Sequence, residues 1–81
     1  MKGEVRMTQN VAFNFDNLRH RIIDKVGSNR KMADLLGITE VSFSRKINGK
    51  TSFSAQDVYT MSELLEISAD EIGDYFFVPK N

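Results

Sequence analysis

The chain has no cysteine and no tryptophan, only one proline in 81 residues, and no apolar run close to the length of a membrane span. Without cysteine there are no disulfides, no thiolate zinc ligands and no cysteine nucleophile. A bilayer crossing takes about 20 apolar residues, and neither such a run nor the apolar stretch of a signal peptide is present. These absences predict a cytoplasmic protein without membrane contact.

A hydrophobic content of 41% in so short a chain is enough for one core and excludes a second domain. Residues 1–12 show no hydrophobic period and are predicted to form a flexible N-terminal arm. Residues 13–81 are predicted to form a single domain that ends in an apolar tail, Tyr75 to Pro79. That tail is expected to pack back on the core, to pair with a partner, or to do both.

The net charge of zero hides an uneven distribution of charged residues. Residues 25–50 carry six basic and two acidic residues, whereas residues 51–81 carry one basic and six acidic residues. A strong nucleic-acid binder is usually basic overall, and this chain has only a basic middle. Charge alone therefore leaves both a nucleic-acid and a protein partner open.

The apolar residues recur at helical spacing from Phe13 onward. The first helix is expected to have Asn14 as its cap, Phe13 packed on Leu18 across the first turn, and its end at Gly27. Its apolar stripe comprises Phe15, Leu18, Ile22, Ile23 and Val26.

Four more short helices follow. The second is capped by Ser28 or Asn29 and ends at Gly37, and the third spans residues 40–48 with Thr39 as its cap. Capping-box patterns at residues 54–57 and 68–71 start the fourth and fifth. The apolar positions of the second are Met32, Ala33, Leu35 and Leu36, and those of the fourth are Val58, Met61, Leu64 and Leu65. Five short helices with short loops predict a compact all-α fold.

Residues 28–50 have the spacing of a tight helix-turn-helix. Ala33 is small where a second helix would cross, Gly37 permits the turn, and Ile38 fills the gap behind it. Phe43 and Ile47 would form the buried stripe of the third helix. Its outward face is then polar and basic: Glu40, Ser42, Ser44, Arg45 and Lys46, followed by Lys50.

This segment resembles the Cro/CI-type, phage repressor-like family of helix-turn-helix regulators. The residues that match are Asn29, Ala33, Gly37, Ile38, Thr39, Phe43 and the closing Asn48-Gly49-Lys50. With the two capped helices that follow, the resemblance extends over about residues 13–76. It implies a five-helix lambda-repressor-like DNA-binding domain in which the third helix enters the major groove.

Carried over by position, the resemblance implies base contacts by Glu40, Val41, Ser42 and Arg45, with Ser44 on the same outward face. It implies phosphate contacts by Asn29, Thr39, Asn48 and Lys50. Arg45 suits a guanine edge, whereas Val41 suits only a thymine methyl. The same residues have plainer interpretations, because Glu40 also complements a helix N-terminus and Arg45, Lys46 and Lys50 also make an ordinary solvated face.

The main prediction is a sequence-specific regulator that occupies a double-stranded DNA operator. The sequence leaves the oligomeric state open; a homodimer would read two half-sites about 34 Å apart. The alternative is a modulator that binds a partner repressor protein, which the zero net charge, the acidic second half and Glu40 favour. No enzyme motif, cofactor site, metal site or pocket for a small-molecule substrate is expected. His20, the only histidine, is expected to lie on the surface.

Overall fold

The computed structural model describes residues 12–80, which form an all-α fold and so confirm the predicted fold class. A 3₁₀ turn, Ala69–Glu71, leads into the last helix of this range. The helices are α1 (Asp16–Lys25), α2 (Asn29–Leu36), α3 (Glu40–Ile47), α4 (Ala55–Leu65) and α5 (Ile72–Phe76). The predicted N-terminal arm lies outside the described residues except for Ala12.

Local capping chemistry sets the starts of α2, α3 and α4. The hydroxyls of Ser28 and Thr39 accept the backbone N–H groups of the first turns of α2 and α3. Ser54 and Asp57 form a reciprocal capping box at the start of α4. Gly37 ends α2 in the left-handed conformation, with φ at 74°. The predicted turn between α2 and α3 is therefore present.

Helix α1 begins later than its sequence pattern predicts. Its N-cap position is Phe15, whose side chain cannot cap, while the Asn14 Oδ1 atom accepts the backbone N–H of Asp16 at 2.8 Å. Asn14 thus hydrogen-bonds the first turn of α1 from the position before the N-cap residue. The Phe13 ring packs at a tilt against Phe15 and edge-on against Phe77.

The core gathers apolar side chains from every helix around Phe43, Leu18, Ile22, Met61 and Leu65, all of them fully buried. Three residues that the helical stripes had assigned to the core are exposed instead: Ile23, Leu35 and Leu64. Each lies at the edge of its helix's buried stripe, where the short neighbouring helices do not cover it. The hydroxyl of Ser62 is buried among these helices without a hydrogen-bond partner in the described part of the chain.

The basic residues of α1 bond the ends of two other helices. Arg19 donates to the carbonyl of Ile47 at 2.9 Å, at the C-terminus of α3. Arg21 donates to the carbonyl of Leu65 at 3.1 Å, at the C-terminus of α4, and to the hydroxyl of Tyr75 at 2.7 Å. Helix C-termini leave carbonyls unpaired and carry partial negative charge, so these guanidinium groups stabilise the packing of α1.

The two ends of the described chain pair with each other. The N–H of Asn14 donates to the carbonyl of Val78 at 2.7 Å, and the N–H of Lys80 donates to that of Ala12 at 2.8 Å. These bonds flank an antiparallel bridge between Phe13 and Pro79. The apolar tail therefore packs back on its own chain, which is one of the alternatives that the sequence left open.

None of the helices between residues 12 and 80 has the length and apolar character that crossing a membrane requires.

Candidate binding surface on helices α2 and α3

Helix α3 buries one side and presents the other to solvent. Phe43 and Ile47 are buried, while the candidate residues predicted to meet DNA bases are exposed. The α2–α3 surface is defined here by the exposed residues of the two helices and of the residues just after α3: Arg30, Lys31, Asp34, Leu35, Glu40, Val41, Ser42, Ser44, Arg45, Asn48, Gly49 and Lys50. The structure thus brings most of the predicted site residues onto one face.

Val41 is the most exposed large hydrophobic residue in the described chain, at 66%. It lies in the first turn of α3, one helical turn before Arg45, so the two side chains are neighbours on the outward face. Leu35 on α2 is also exposed, at 49%. When a partner covers apolar side chains that are exposed to water, the free energy falls.

The basic part of the chain loses two of its six cations to internal ion pairs. Lys46 Nζ lies 2.8 Å from the Asp57 carboxylate, and Lys25 Nζ lies 3.1 Å from that of Glu66. The placement of Lys46 on the outward face of α3 was therefore wrong, because its side chain turns back to α4. Four cations remain on the α2–α3 surface without an ion pair to residues 12–80: Arg30, Lys31, Arg45 and Lys50.

Asp57 has two roles, since it completes the capping box of α4 and pairs with Lys46. Partial burial works to raise the pKa of its carboxyl, but the hydrogen bonds from Lys46 and Ser54 outweigh burial and hold the pKa below its ordinary value. This ion pair joins the end of α3 to the start of α4 and so fixes how α3 is presented.

The hydroxyl and amide groups of the candidate site bond one another. The Thr39 hydroxyl caps α3 and donates to the Ser42 hydroxyl at 3.0 Å. Asn48 accepts from Arg19 and donates to the Ser44 hydroxyl, both at 3.2 Å. Asn29 is half-buried at the start of α2. The Thr39, Ser42, Ser44 and Asn48 side chains therefore order the two ends of α3, whereas Glu40 and Arg45 make no side-chain hydrogen bond to residues 12–80.

An aromatic groove next to the end of α3 was missed by sequence reasoning, which expected no pocket. Its walls are five phenylalanines from three separate parts of the chain, and its volume is about 390 Å³. The phenylalanines are Phe13, Phe15, Phe53, Phe76 and Phe77. The sequence signal was the unassigned Phe53 between polar residues, but its partners lie more than twenty residues away along the chain.

Acidic residues and the histidine form no metal-binding cluster in the described chain. No three acidic or histidine residues between 12 and 80 are placed to hold a metal ion. His20 is exposed. Asp70 accepts the Ser68 hydroxyl at 2.7 Å, and this hydrogen bond lowers the pKa of its carboxyl. The Glu71 carboxylate accepts a hydrogen bond from the backbone N–H of Ser68 at 3.2 Å, so both carboxylates bind the residue that precedes the last helical segment.

One solved structure with the same arrangement is the solution structure of the modulator of repression (MOR) of the temperate bacteriophage TP901-1 from Lactococcus lactis. The two chains are 26% identical, the TM-score is 0.73, and the match covers 82% of this chain and 89% of that one. A comparison with curated proteins finds no match. A family model described as "Protein of unknown function (DUF739)" matches residues 11–79. Because this match spans nearly the whole chain, the protein belongs to the DUF739 family.

Proposed function

We propose that the protein is a phage-type modulator of repression that binds a repressor protein through its α2–α3 surface. The observation that carries this proposal is the composition of that surface, where an exposed valine lies between a glutamate and an arginine. The similarity in fold and sequence to the phage modulator of repression supports the same role. Binding to a repressor is the alternative that the sequence had left open.

Protein interfaces favour such a mixture of groups. Their centres are apolar and their rims are polar, with charges of both signs for complementarity. Val41 offers an apolar centre, and Glu40 and Arg45 flank it. A duplex offers mostly phosphate, which needs several cations and repels a carboxylate. With two of the six basic residues engaged in internal ion pairs, the surface suits a protein better than a polyanion.

Operator DNA is the second candidate, and Arg45 is the observation in its favour. Its guanidinium lies on the outward face of α3 without a partner among residues 12–80, as a guanine-reading side chain would. The α2–turn–α3 arrangement with Gly37 also fits the Cro/CI-type family. Membership of that family, DNA readout by Arg45 and dimerisation on an operator are parts of this second proposal.

The proposed role is binding in the cytoplasm and involves no catalysis. A general acid or nucleophile is usually a buried group with a pKa tuned toward the working pH. The neighbouring carboxylates of Asp70 and Glu71 instead accept hydrogen bonds from Ser68, at the start of the last helical segment. The expected consequence is that the protein acts by changing the occupancy of a complex.

The test is isothermal titration of the protein into the candidate repressor encoded in its gene neighbourhood, and separately into the duplex upstream of its own gene. Val41→Asp removes the apolar centre, and an aspartate in the first turn of α3 is compatible with the helix. Tyr59→Asp is the matched control, because Tyr59 is 64% exposed on α4, outside the α2–α3 surface.

Wild type and Tyr59→Asp should bind the repressor equally, and Val41→Asp should bind at least about thirtyfold more weakly, the loss of a hot-spot residue. Circular dichroism should show all three folded. Repressor binding that is unchanged in Val41→Asp would contradict the assignment of the surface. Salt-sensitive binding to the upstream duplex without any binding to the repressor would replace the proposal by operator recognition.

A further inference from the structure

The aromatic groove is a partly open cleft with a rigid floor. The Phe53 ring packs edge-on against Phe15 at 5.3 Å and against Phe76 at 5.8 Å between ring centroids. Phe77, at the mouth, is 51% exposed although its ring packs edge-on against Phe13. The ring packing holds the floor in place, and the mouth keeps apolar surface in contact with water.

The size of the groove fits an anchoring side chain better than a free ligand. Its volume of about 390 Å³ is at the low end of the ~300–1,000 Å³ range of small-molecule pockets. Interfaces concentrate their binding energy in one or two large side chains that fill pockets of this kind. An aromatic or branched aliphatic side chain would displace water from the phenylalanine walls.

Among residues 12–80, the charge at the mouth has one sign. Lys80 is the only charged residue of that range that lines the groove, and the polar remainder consists of Asn48, Thr51 and Ser52. No ion pair joins Lys80 to any residue between 12 and 80. A carboxylate next to the anchoring side chain would therefore meet an unopposed cation.

The groove is continuous with the α2–α3 surface. Asn48 belongs to both, since it ends α3 and also lines the groove, and Gly49 follows it in the lining. A protein that covers Val41 and Arg45 along α3 reaches the mouth of the groove at the end of the same helix. A short helix of eight residues leaves about 12 Å between its two ends, well within a standard interface.

We infer that this groove takes an aromatic or branched aliphatic side chain, adjacent to an acidic residue, from the repressor protein that the α2–α3 surface binds. This inference rests on the proposed function and adds a second anchoring point to it. The groove then determines which repressors are bound, because a partner without that pair of residues leaves the phenylalanines exposed and Lys80 unpaired.

The experiment compares three variants of the full chain in isothermal titration against the repressor at two salt concentrations. Phe77→Ala removes an exposed wall, and Lys80→Glu reverses the charge at the mouth without changing the walls. Tyr59→Ala removes an aromatic ring that is somewhat more exposed than Phe77 and lies outside the groove, and it is the control. Nuclear magnetic resonance of the phenylalanine rings, with and without the repressor, locates the contact.

Phe77→Ala should weaken binding about tenfold or more, as loss of an anchoring pocket does. Lys80→Glu should weaken it by a smaller factor that shrinks as salt rises. Tyr59→Ala should stay within about twofold, and repressor should shift the Phe53 and Phe77 ring resonances. These results would support the inference.

Repressor binding that is unchanged in both Phe77→Ala and Lys80→Glu would overturn the groove assignment and leave the proposed function in place. Ring resonances of the free protein that shift with its own concentration would put a second copy in the groove and also overturn it. Failure of the wild-type chain to bind the repressor would remove the proposed function and this inference together. Sensitivity to Val41→Asp alone would confine the contact to α3.

Discussion

The basic side chains of α1 and those of α2 and α3 have different partners. In α1, three of them donate a hydrogen bond to an oxygen of another part of the fold: Arg19, Arg21 and Lys25. On α2 and α3, three make no side-chain hydrogen bond or ion pair with residues 12–80: Arg30, Lys31 and Arg45. The residue types are the same, and their surroundings differ. In α1 the two arginines hydrogen-bond the C-terminal carbonyls of α3 and α4 and so stabilise the fold. The three cations on α2 and α3 remain available to a partner.

The largest effect on stability is expected at the link between the end of α3 and the start of α4. Asp57→Ala removes one half of the capping box and the partner of Lys46, whose side chain is only 21% exposed. The free energy of unfolding should fall by about 2 kcal/mol, a cap plus a charge-assisted hydrogen bond. Urea unfolding measures it, with Asp74→Ala as an exposed control. A smaller loss of unfolding free energy in Asp57→Ala than in Asp74→Ala would contradict the structural role of Asp57.

The ion pair between Lys46 and Asp57 also makes the unfolding free energy depend on pH. We expect this dependence to be smaller than the loss in Asp57→Ala. Because its pKa is lowered in the folded chain, Asp57 contributes stability above the ordinary aspartate pKa of about 3.9 and loses it as pH falls through the lower folded value. The difference in unfolding free energy between wild type and Lys46→Met should therefore be full at pH 6 and shrink in strong acid. A difference that is constant from neutral pH to pH 2 would show that the ion pair adds nothing.

A matched pair of substitutions tests whether the two sets of cations differ in their contribution to stability. Arg19→Met removes the hydrogen bonds to Ile47 and Asn48 at the end of α3 and should lower the unfolding free energy by about 1 kcal/mol. Arg45→Met removes no bond to the described residues and should change it by less than about 0.5 kcal/mol. Partner binding should respond in the opposite order. Equal losses of stability in the two variants would erase the distinction between them.

The smallest expected effect is a gain in stability. The buried Ser62 hydroxyl has no partner in the described chain, and alanine is the better helix former. Ser62→Ala should raise the unfolding free energy by about 0.5–1 kcal/mol, measured by urea denaturation. A decrease would mean that the hydroxyl is hydrogen-bonded in solution.

Elements whose determinants are local could be predicted from the sequence. Thr39, Ser54 and Gly37 act within three residues of their own backbone, so the turn between α2 and α3 and the start of α4 were correctly placed. The burial of Phe43 and Ile47 followed in the same way from their spacing of four residues. These positions decide which face of α3 is exposed, and that part of the candidate site was visible in the sequence.

Features that depend on distant residues were not visible. Lys46 was assigned to the outward face because its partner Asp57 lies in the next helix, and Lys25 pairs with Glu66 forty-one residues away. Ile23 and Leu35 have helical spacing but lack a covering neighbour. The aromatic groove needs both ends of the described chain to meet at Phe13 and Pro79. Spacing along one helix carries no information on such contacts.

Under the proposed function, the α2–α3 surface binds a repressor protein in preference to DNA. The most direct measurement follows the anisotropy of a labelled operator duplex in complex with the repressor while the protein is added at physiological salt, beside the same duplex without repressor. We expect the protein to change the occupancy of the operator by the repressor and Val41→Asp not to change it, while neither binds the duplex alone. Saturable, sequence-preferring binding of the protein to the bare duplex, with repressor occupancy unaffected, would contradict it.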